Sequence, residues 1–288
     1  MNTANIGRLF LKEQSIIVCG IIRNGEIGLK KNIPIIDNLC DLAKDYHVVI
    51  FENDSIDNTK KILHEWAKNR SNVHVCTEDF HTQTIPSQKN VNVNRFYSHF
   101  RISKMANYLN KYLDFITENQ LVANYVLVVD LDVQRIDLDG ILDSFAQHEQ
   151  WDVVASNGYI YSPSSFFRKR YNDTYALVEL GKENVPQTET SISDNQYKWA
   201  FLKPNMPLIA VYSAFGGMAI YKYEALQQCR YKILPNNDNR VEVRCEHFAL
   251  CEQMHKNGFN KIFINPNMTI RYKPYLYDRL YKIIHKKR

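Results

Sequence analysis

The chain has 288 residues, of which 45% are hydrophobic and 23% charged, a composition typical of folded globular proteins that excludes disordered or fibrous architectures. No apolar run approaches the roughly 18 residues needed to cross a bilayer, and residues 1–14 lack a signal-peptide core, so we expect a soluble, cytoplasmic protein. The net charge of +5 comes from residues 271–288, which carry +6 and leave −1 for the rest, so the body is not a general nucleic-acid binder.

Apolar β-branched runs alternate with amphipathic segments through the first half of the chain. Strands are predicted at residues 15–22, 46–52, 72–76, 125–130 and 152–156. Helices are predicted between them, at residues 28–45, 57–70, 95–117 and 138–148. This alternation predicts an α/β fold with a Rossmann-type open mixed sheet, mostly parallel and flanked by helices. Such sheets bind ligands at the carboxyl ends of their strands.

The second half of the chain is less regular. Residues 157–210 are rich in Tyr, Ser, Pro and Asn and predict long loops with short helices. Strands are predicted at 212–222 and 261–266, with a helix between them at 246–258 that Gly258 ends. No repeat or linker is evident, so we expect one continuous domain over residues 1–270 and a basic aromatic tail.

Two acidic clusters follow predicted strands at the carboxyl edge. Residues 52–59 (ENDSIDNT) follow the second strand, and Asp130 and Asp132 follow the fourth. Residues i and i+2 at a strand end point the same way, so both aspartates can face one Mg²⁺ or Mn²⁺ ion whose open positions phosphate oxygens fill. The alternative is a solvated turn in which Asp132 caps the next segment of the chain. In the first cluster, Ser55 or Asp57 is a good N-cap for the helix that follows, and another carboxylate of that loop can accept a hydrogen bond from a ligand hydroxyl.

Four strings, in this order, resemble the GT-A fold glycosyltransferases. FENDSIDNTKKIL (51–63) resembles their first donor-binding loop, and VVDLDV (128–133) resembles their Asp-x-Asp metal motif. AFGGMAIYK (214–222) and CEHFALCEQMHKNGF (245–259) resemble their later Gly-Gly strand and the acidic helix near the acceptor. The resemblance covers about residues 14–266, and the form E-x-x-S-x-D-x-T is nearest to the fungal capsule-associated mannosyltransferase branch.

The resemblance implies a site for a nucleoside-diphosphate sugar donor. The residues that it assigns to the donor are Arg23, Asn24, Glu52, Asp57, Arg95, Arg101, Asp130, Gly216 and Gly217. Glu52 and Asp57 would contact the nucleoside, and Asp130 would lie near the ribose or the donor sugar. Asp130 and Asp132 would hold Mn²⁺ or Mg²⁺. Asn53 departs from the Asp of the common loop, so contacts to the donor base transfer only in part.

The other donor residues flank these acids. Arg23 and Asn24 match the loop that borders the base. Arg95 and Arg101, six residues apart on the predicted long helix, are candidates for the diphosphate; the alternative is that they pair with surface acids. The residues Gly216 and Gly217 either allow close approach of a sugar to the backbone or mark a bulge.

Glu246 and His247 stand where the family has Glu-Asp, and the resemblance implies that they are catalytic. In inverting members the acid there removes the acceptor proton. His247 is a candidate for that base because its unperturbed pKa lies near 6.5. It could instead join Asp130 and Asp132 as a metal ligand, with Glu246 orienting a sugar. The remaining alternative is a carboxylate at a helix N-terminus beside a packed histidine.

The function implied is a metal-dependent transfer of a hexose, mannose being one candidate, to a hydroxyl of a glycan or glycolipid in surface polysaccharide or lipopolysaccharide synthesis. Residues 14–156 would form the nucleotide-binding half and 157–270 the acceptor half. The tail, 271–288, either docks on the domain or contacts the anionic inner face of the membrane. The alternatives are a sugar-1-phosphate nucleotidylyltransferase, for which CGIIRNGEIG (19–28) is a poor phosphate loop, and a non-catalytic membrane-associated binding module.

Overall fold

The computed structural model describes residues 2–87, 90, 92–161 and 168–272, so the predicted tail lies outside it except for Arg271 and Tyr272. The strands are β1 (Ser15–Ile22), β2 (Asp45–Asn53), β3 (Val73–Glu78), β4 (Tyr125–Val129), β5 (Arg135–Ile136), β6 (Val153–Tyr161), β7 (Lys169–Tyr171), β8 (Ile209–Ala210), β9 (Met218–Lys222) and β10 (Ile262–Arg271). The helices are α1 (Thr3–Leu11), α2 (Glu26–Cys40), α3 (Thr59–Asn69), α4 (His99–Glu118), α5 (Leu138–Ala146), α6 (Glu189–Lys198), α7 (Tyr223–Leu226) and α8 (Glu246–Lys256).

The main strands form one sheet in the order β3-β2-β1-β4-β9-β6-β10-β5. The pairs β3–β2, β2–β1, β1–β4 and β6–β10 are parallel, whereas β9 runs antiparallel to its neighbours β4 and β6. The short strands β5, β7 and β8 add antiparallel pairs to β10 and β6. This GT-A-like open sheet, mostly parallel, confirms the predicted fold class. Its carboxyl edge gathers the ends of β1, β2, β4, β6 and β10.

Apolar layers cover both faces of the sheet because successive strand residues point to opposite sides. In β4, Val126 and Val128 pack in the layer that contains α4 and α8. Leu127 and Val129 pack in the opposite layer, with α1, α2, α3 and α5. None of the described helices is long and apolar enough to span a membrane.

Several element boundaries differ from the prediction. The sequence reasoning missed α1, which lies so close to α5 that a Cβ at Gly7 would come within 1.7 Å of the Leu142 carbonyl oxygen. The long helix α4 begins at His99 and not at residue 95, because the Ser98 hydroxyl caps it by accepting the Arg101 N–H at 3.4 Å.

The carboxyl ends of β6 and β10 reach further than predicted. They run to Tyr161 and Arg271, where the Tyr272 N–H donates to the Tyr159 carbonyl at 2.9 Å. The first two residues of the predicted tail therefore belong to the sheet edge.

Candidate active site

A cleft of about 350 Å³ opens at the carboxyl ends of β1, β2 and β4. Its polar lining includes Arg23 after β1, Asn53 at the end of β2, and Asp130 and Asp132 after β4. The structure thus brings together three of the residues predicted from the sequence: Arg23, Asp130 and Asp132. It also adds Tyr272, which sequence reasoning had assigned to the tail.

Asp130 lies half-buried on the wall of the cleft, and Asp132 is exposed at its rim. The Asp130 backbone N–H donates to the Gly217 carbonyl at 2.9 Å, and the Tyr272 hydroxyl donates to Asp130 Oδ2 at 3.0 Å. Burial and the nearby carboxylates of Asp132 and Asp173 raise the pKa of Asp130 well above its usual value. A cation at this position would therefore relieve repulsion between carboxylates that the fold itself creates.

Asp130 and Asp132 suit a metal ion whose other coordination positions are filled by the phosphates of a bound substrate and by water. Among the described residues, no group of three or more His, Cys, Asp or Glu side chains could hold a metal ion. Mg²⁺ and comparable hard ions are commonly bound by one or two carboxylates while substrate phosphates and water fill the remaining positions. Asp130 and Asp132 fit that donor set.

Gly216 and Gly217 form the turn before β9 and adopt positive φ angles of 68° and 94°. A Cβ at Gly216 would lie 2.2 Å from the Ser156 carbonyl oxygen, and one at Gly217 would lie 2.6 Å from the Tyr272 hydroxyl. The two glycines therefore allow close packing within the protein, at the point where Tyr272 reaches Asp130. This turn, and not a strand, is the local structure at the predicted Gly-Gly position.

The loop after β2 holds its acids differently. Glu52 is fully buried; its Oε1 accepts the Ser55 N–H at 2.8 Å, and its Oε2 has no hydrogen-bond partner in the described part of the chain. Asp54 accepts from the His81 N–H at 2.7 Å and from the Asn53 side chain at 3.1 Å. Burial opposes ionisation of Asp54, but these hydrogen bonds and Arg23 hold its pKa below its usual value.

Asp57 and Asn24 join this loop to the one after β1. Asp57 accepts the Thr59 N–H at 3.0 Å through Oδ1 and the Glu26 N–H at 3.2 Å through Oδ2. Asn24 donates its N–H to Ser55 Oγ and accepts the Ile56 N–H, each at 2.9 Å. Asp57 and Asn24, which are both predicted donor-binding residues, thus fix the shape of the loops that border the cleft.

The three predicted arginines lie in different surroundings. Arg23 Nη1 donates to the Thr82 carbonyl at 3.1 Å and lies 4.0 Å from Asp54 Oδ2. Arg95 precedes α4 and lines a separate pocket, so it does not share a helix with Arg101 as predicted. Arg101, in the first turn of α4, partly opposes the burial that raises the pKa of the Asp173 and Glu246 carboxyls.

Glu246 begins α8 and is buried together with His247. Burial raises the pKa of Glu246, and Arg101 opposes this shift. His247 stacks on Phe215 with ring centroids 3.9 Å apart, and burial lowers its pKa to about 3. A side chain that resists protonation at this level is a weak proton acceptor.

Asp173 is a functional candidate that sequence reasoning missed. It follows β7 with a positive φ of 69°, and the Ala176 and Gly216 N–H groups donate to its carboxylate. Burial and the charge of Glu246 raise its pKa to about 6. No motif marks it, because it stands in the stretch for which the sequence predicts long loops with short helices. The left-handed backbone favoured by Asp and Asn was its sole local signal.

Comparisons with known proteins give one extensive match. The family described as Cryptococcal mannosyltransferase 1 matches residues 28–253, more than three quarters of the chain. No curated protein sequence matches the chain.

Solved structures have a weak overall likeness to the chain. The mannosyltransferase PcManGT from Pyrobaculum calidifontis, in complex with GDP-Man and Mn²⁺, is 14% identical, with a TM-score of 0.49 over 97% of this chain and 66% of that chain. S. aureus TarS 1–349 is 15% identical, with a TM-score of 0.48 over 93% and 63%. M. tuberculosis glucosyl-3-phosphoglycerate synthase is 13% identical, with a TM-score of 0.48 over 94% and 76%.

The chain thus spans less than two thirds of the length of PcManGT and of TarS. At these TM-scores the likeness adds nothing to the fold assignment, which rests on the strand order and the family match. The match over residues 28–253 includes both acidic loops and the start of α8. The chain belongs to the Cryptococcal mannosyltransferase 1 family, a family of glycosyltransferases, as its resemblance to the fungal branch predicted.

Proposed function

We propose that the chain is a metal-dependent glycosyltransferase that moves a hexose, mannose in the first instance, from a nucleoside-diphosphate sugar to a hydroxyl of a glycan or glycolipid. We further propose that this reaction serves the synthesis of a surface polysaccharide or lipopolysaccharide. The family match supports the reaction class. The observation that carries the proposal is the cleft in which Asp130, Asp132 and Arg23 meet.

Donor binding follows from the polarity of that cleft. Asp130 and Asp132 would hold the cation, and Arg23 adds positive charge on the side of β1. Mn²⁺ or Mg²⁺ bound there would neutralise the charge that develops on the leaving diphosphate. Glu52 is fully buried, so we propose that it shapes the nucleoside end of the cleft through its hydrogen bond to the Ser55 N–H. Asp57 fixes the same loop, since both of its oxygens already accept backbone N–H groups.

The proton of the acceptor hydroxyl goes to a carboxylate in this scheme. Glu246 and Asp173 both have raised pKa values and interact with each other. A carboxylate whose pKa is moved toward neutrality is a better base than an ordinary one. Glu246 is the proposed base, with Arg101 opposing the rise in its pKa, while His247 supports α8 by packing on Phe215.

A nucleotidylyltransferase is disfavoured by the start of α2. Such an enzyme needs free backbone N–H groups in the loop after the first strand to hold phosphates. Here the Gly25 N–H donates to Thr59 Oγ1 at 2.8 Å and the Glu26 N–H donates to Asp57 Oδ2. The loop is thus used to hold α3.

The test is to identify what is released from a donor. The protein is incubated with GDP-mannose and with uridine diphosphate sugars, each with and without Mn²⁺, and the products are separated by ion-exchange chromatography. Metal-stimulated release of the nucleoside diphosphate supports sugar transfer. Release of inorganic diphosphate would instead support the nucleotidyl reaction, and absence of either product would support a binding module.

A further inference from the structure

Next to the cleft, neighbouring strands bring aromatic and cationic side chains onto one face of the sheet. Tyr159 of β6 is paired with Arg271 of β10, and Arg271 is paired with Arg135 of β5. Tyr161 of β6 is paired with Lys169 of β7. Cross-strand partners share a face, as do residues two apart on one strand, so these five side chains form a single surface, here called the basic aromatic face.

Rings and cations interleave on this face. The Lys169 ammonium lies 5.3 Å from the centre of the Tyr159 ring, and the Arg271 guanidinium lies 5.4 Å from that of Tyr161. The two tyrosine rings meet edge to face at 5.6 Å. All four of these residues are half-buried, and Arg135 is exposed. The rings are thus held in place by the sheet and by cation–π contacts.

Within the described residues, no acidic side chain pairs with Arg135 or Arg271 on this face. Like charges directly opposite each other on paired strands are destabilising, yet Arg135 and Arg271 stand directly opposite each other. Neither forms an ion pair with any residue in the described ranges. Lys169 has a second lysine, Lys203, as a charged neighbour, and burial together with Lys203 lowers the pKa of Lys169. An anionic ligand would remove this repulsion.

The face is continuous with the proposed catalytic cleft. Arg271 is followed by Tyr272, whose hydroxyl donates to Asp130 and whose N–H donates to the Tyr159 carbonyl. The basic aromatic face and the donor site thus meet at the end of β10, where Arg271 and Tyr272 point to opposite sides of the strand.

We propose that the basic aromatic face binds the acceptor and that this acceptor is an anionic sugar chain, with carboxylate or phosphate groups. This rests on the transferase function proposed above. The tyrosine rings supply flat apolar surfaces for sugar rings, and the cations pair with the acidic groups between them. A membrane surface fits less well, because it would need protruding apolar side chains and these rings are half-buried.

Direct binding tests the proposal without requiring turnover. Oligogalacturonate and a neutral maltooligosaccharide of equal length are titrated calorimetrically into the full chain, without donor. We expect the acidic sugar to bind more tightly and to lose affinity with added salt. The double variant Arg135→Gln/Arg271→Gln should bind it about fivefold more weakly. Tyr161→Ala should weaken the binding of both sugars.

The matched control is Lys61→Gln/Lys256→Gln, which removes two exposed charges elsewhere and should bind like the unaltered protein. The melting temperature of the arginine double variant is measured to confirm that it folds, since the change removes both the repulsion between the arginines and the contact of Arg271 with Tyr161. Equal affinity of the unaltered protein for the acidic and neutral sugars would overturn the proposal. So would a double variant that loses binding to phosphatidylglycerol vesicles but not to the acidic sugar. Donor breakdown by the unaltered protein is measured separately, so failure of the transferase proposal would be visible by itself.

Discussion

The two acidic loops at the carboxyl edge look alike in the sequence but differ in how their carboxylates are used. After β2, Asp57 and Asp54 accept hydrogen bonds from the backbone N–H groups of neighbouring segments. After β4, Asp130 receives one hydroxyl hydrogen bond and faces two further carboxylates, Asp132 and Asp173. Acids whose oxygens accept backbone N–H groups shape the walls of a site, whereas acids close enough to raise one another's pKa are suited to bind a cation.

The largest expected effect is a loss of enzyme activity when the loop after β4 is altered. Asp132→Ala should reduce metal-stimulated release of the nucleoside diphosphate about 100-fold or more, because half of the proposed carboxylate pair is lost. The melting temperature should stay close to that of the unaltered protein, since Asp132 is exposed. Asp139→Ala, at an exposed aspartate of α5, is the control. Unchanged turnover in Asp132→Ala would remove the metal site from this loop.

A backbone change next to Asp130 should have the next largest effect. Gly217→Ala is expected to cost about 1–3 kcal/mol of unfolding free energy, because it combines a positive φ with a clash against the Tyr272 hydroxyl. Gly258→Ala is the matched control, since Gly258 has a similar φ of 90° but open space around it. Denaturant unfolding measures both. If the two variants lose the same stability, Tyr272 is not packed against the turn as described.

In the first loop we expect a change that appears mainly in stability. Asp57→Ala removes acceptors for the Glu26 and Thr59 N–H groups and should lower the free energy of unfolding by about 1–2 kcal/mol. Ile56→Ala, at a side chain that is 92% exposed in the same loop, should cost almost nothing. If Asp57→Ala keeps its stability but loses donor binding, the loop after β2 would also bind the ligand directly, which would contradict the distinction between the two loops.

The smallest effect concerns the pH dependence caused by His247. Its folded-state pKa of about 3 lies below the unfolded value near 6.5, so the stability it permits is present above pH 6.5 and is lost as the pH falls toward 3. Between pH 6.5 and 5.5 we expect a loss of about 1 kcal/mol. Urea unfolding of His247→Phe, which keeps a ring against Phe215, should show a flatter profile over this range. An equally steep profile would mean that other groups cause the pH dependence.

The accuracy of the prediction from sequence differs along the chain. The strands and helices from β1 to β4 were predicted because their apolar periodicities are local and strong. The helix α1 was missed, since its packing depends on α5, more than a hundred residues later in the chain. Asp173 and Tyr272 were missed for a related reason: neither belongs to a motif, and only the sheet brings them to Asp130.

The predicted site residues divide in the same way. Their residue types and order along the chain indicated a donor site, and Arg23, Asp130 and Asp132 do line one cleft. Arg95 lines another pocket because Ser98 starts α4 after it. No local pattern distinguishes an aspartate that accepts neighbouring N–H groups from one that faces other carboxylates.

By itself, the sequence determined the α/β class, the two acidic loops and the family, because alternating apolar runs and short motifs are properties of neighbouring residues. Only the tertiary structure decided which carboxylates remain in repulsion, that His247 is enclosed by aromatic rings, and that Tyr272 reaches Asp130. Burial and charge proximity arise between segments far apart in the chain, and they raise the pKa of Asp130, Asp173 and Glu246.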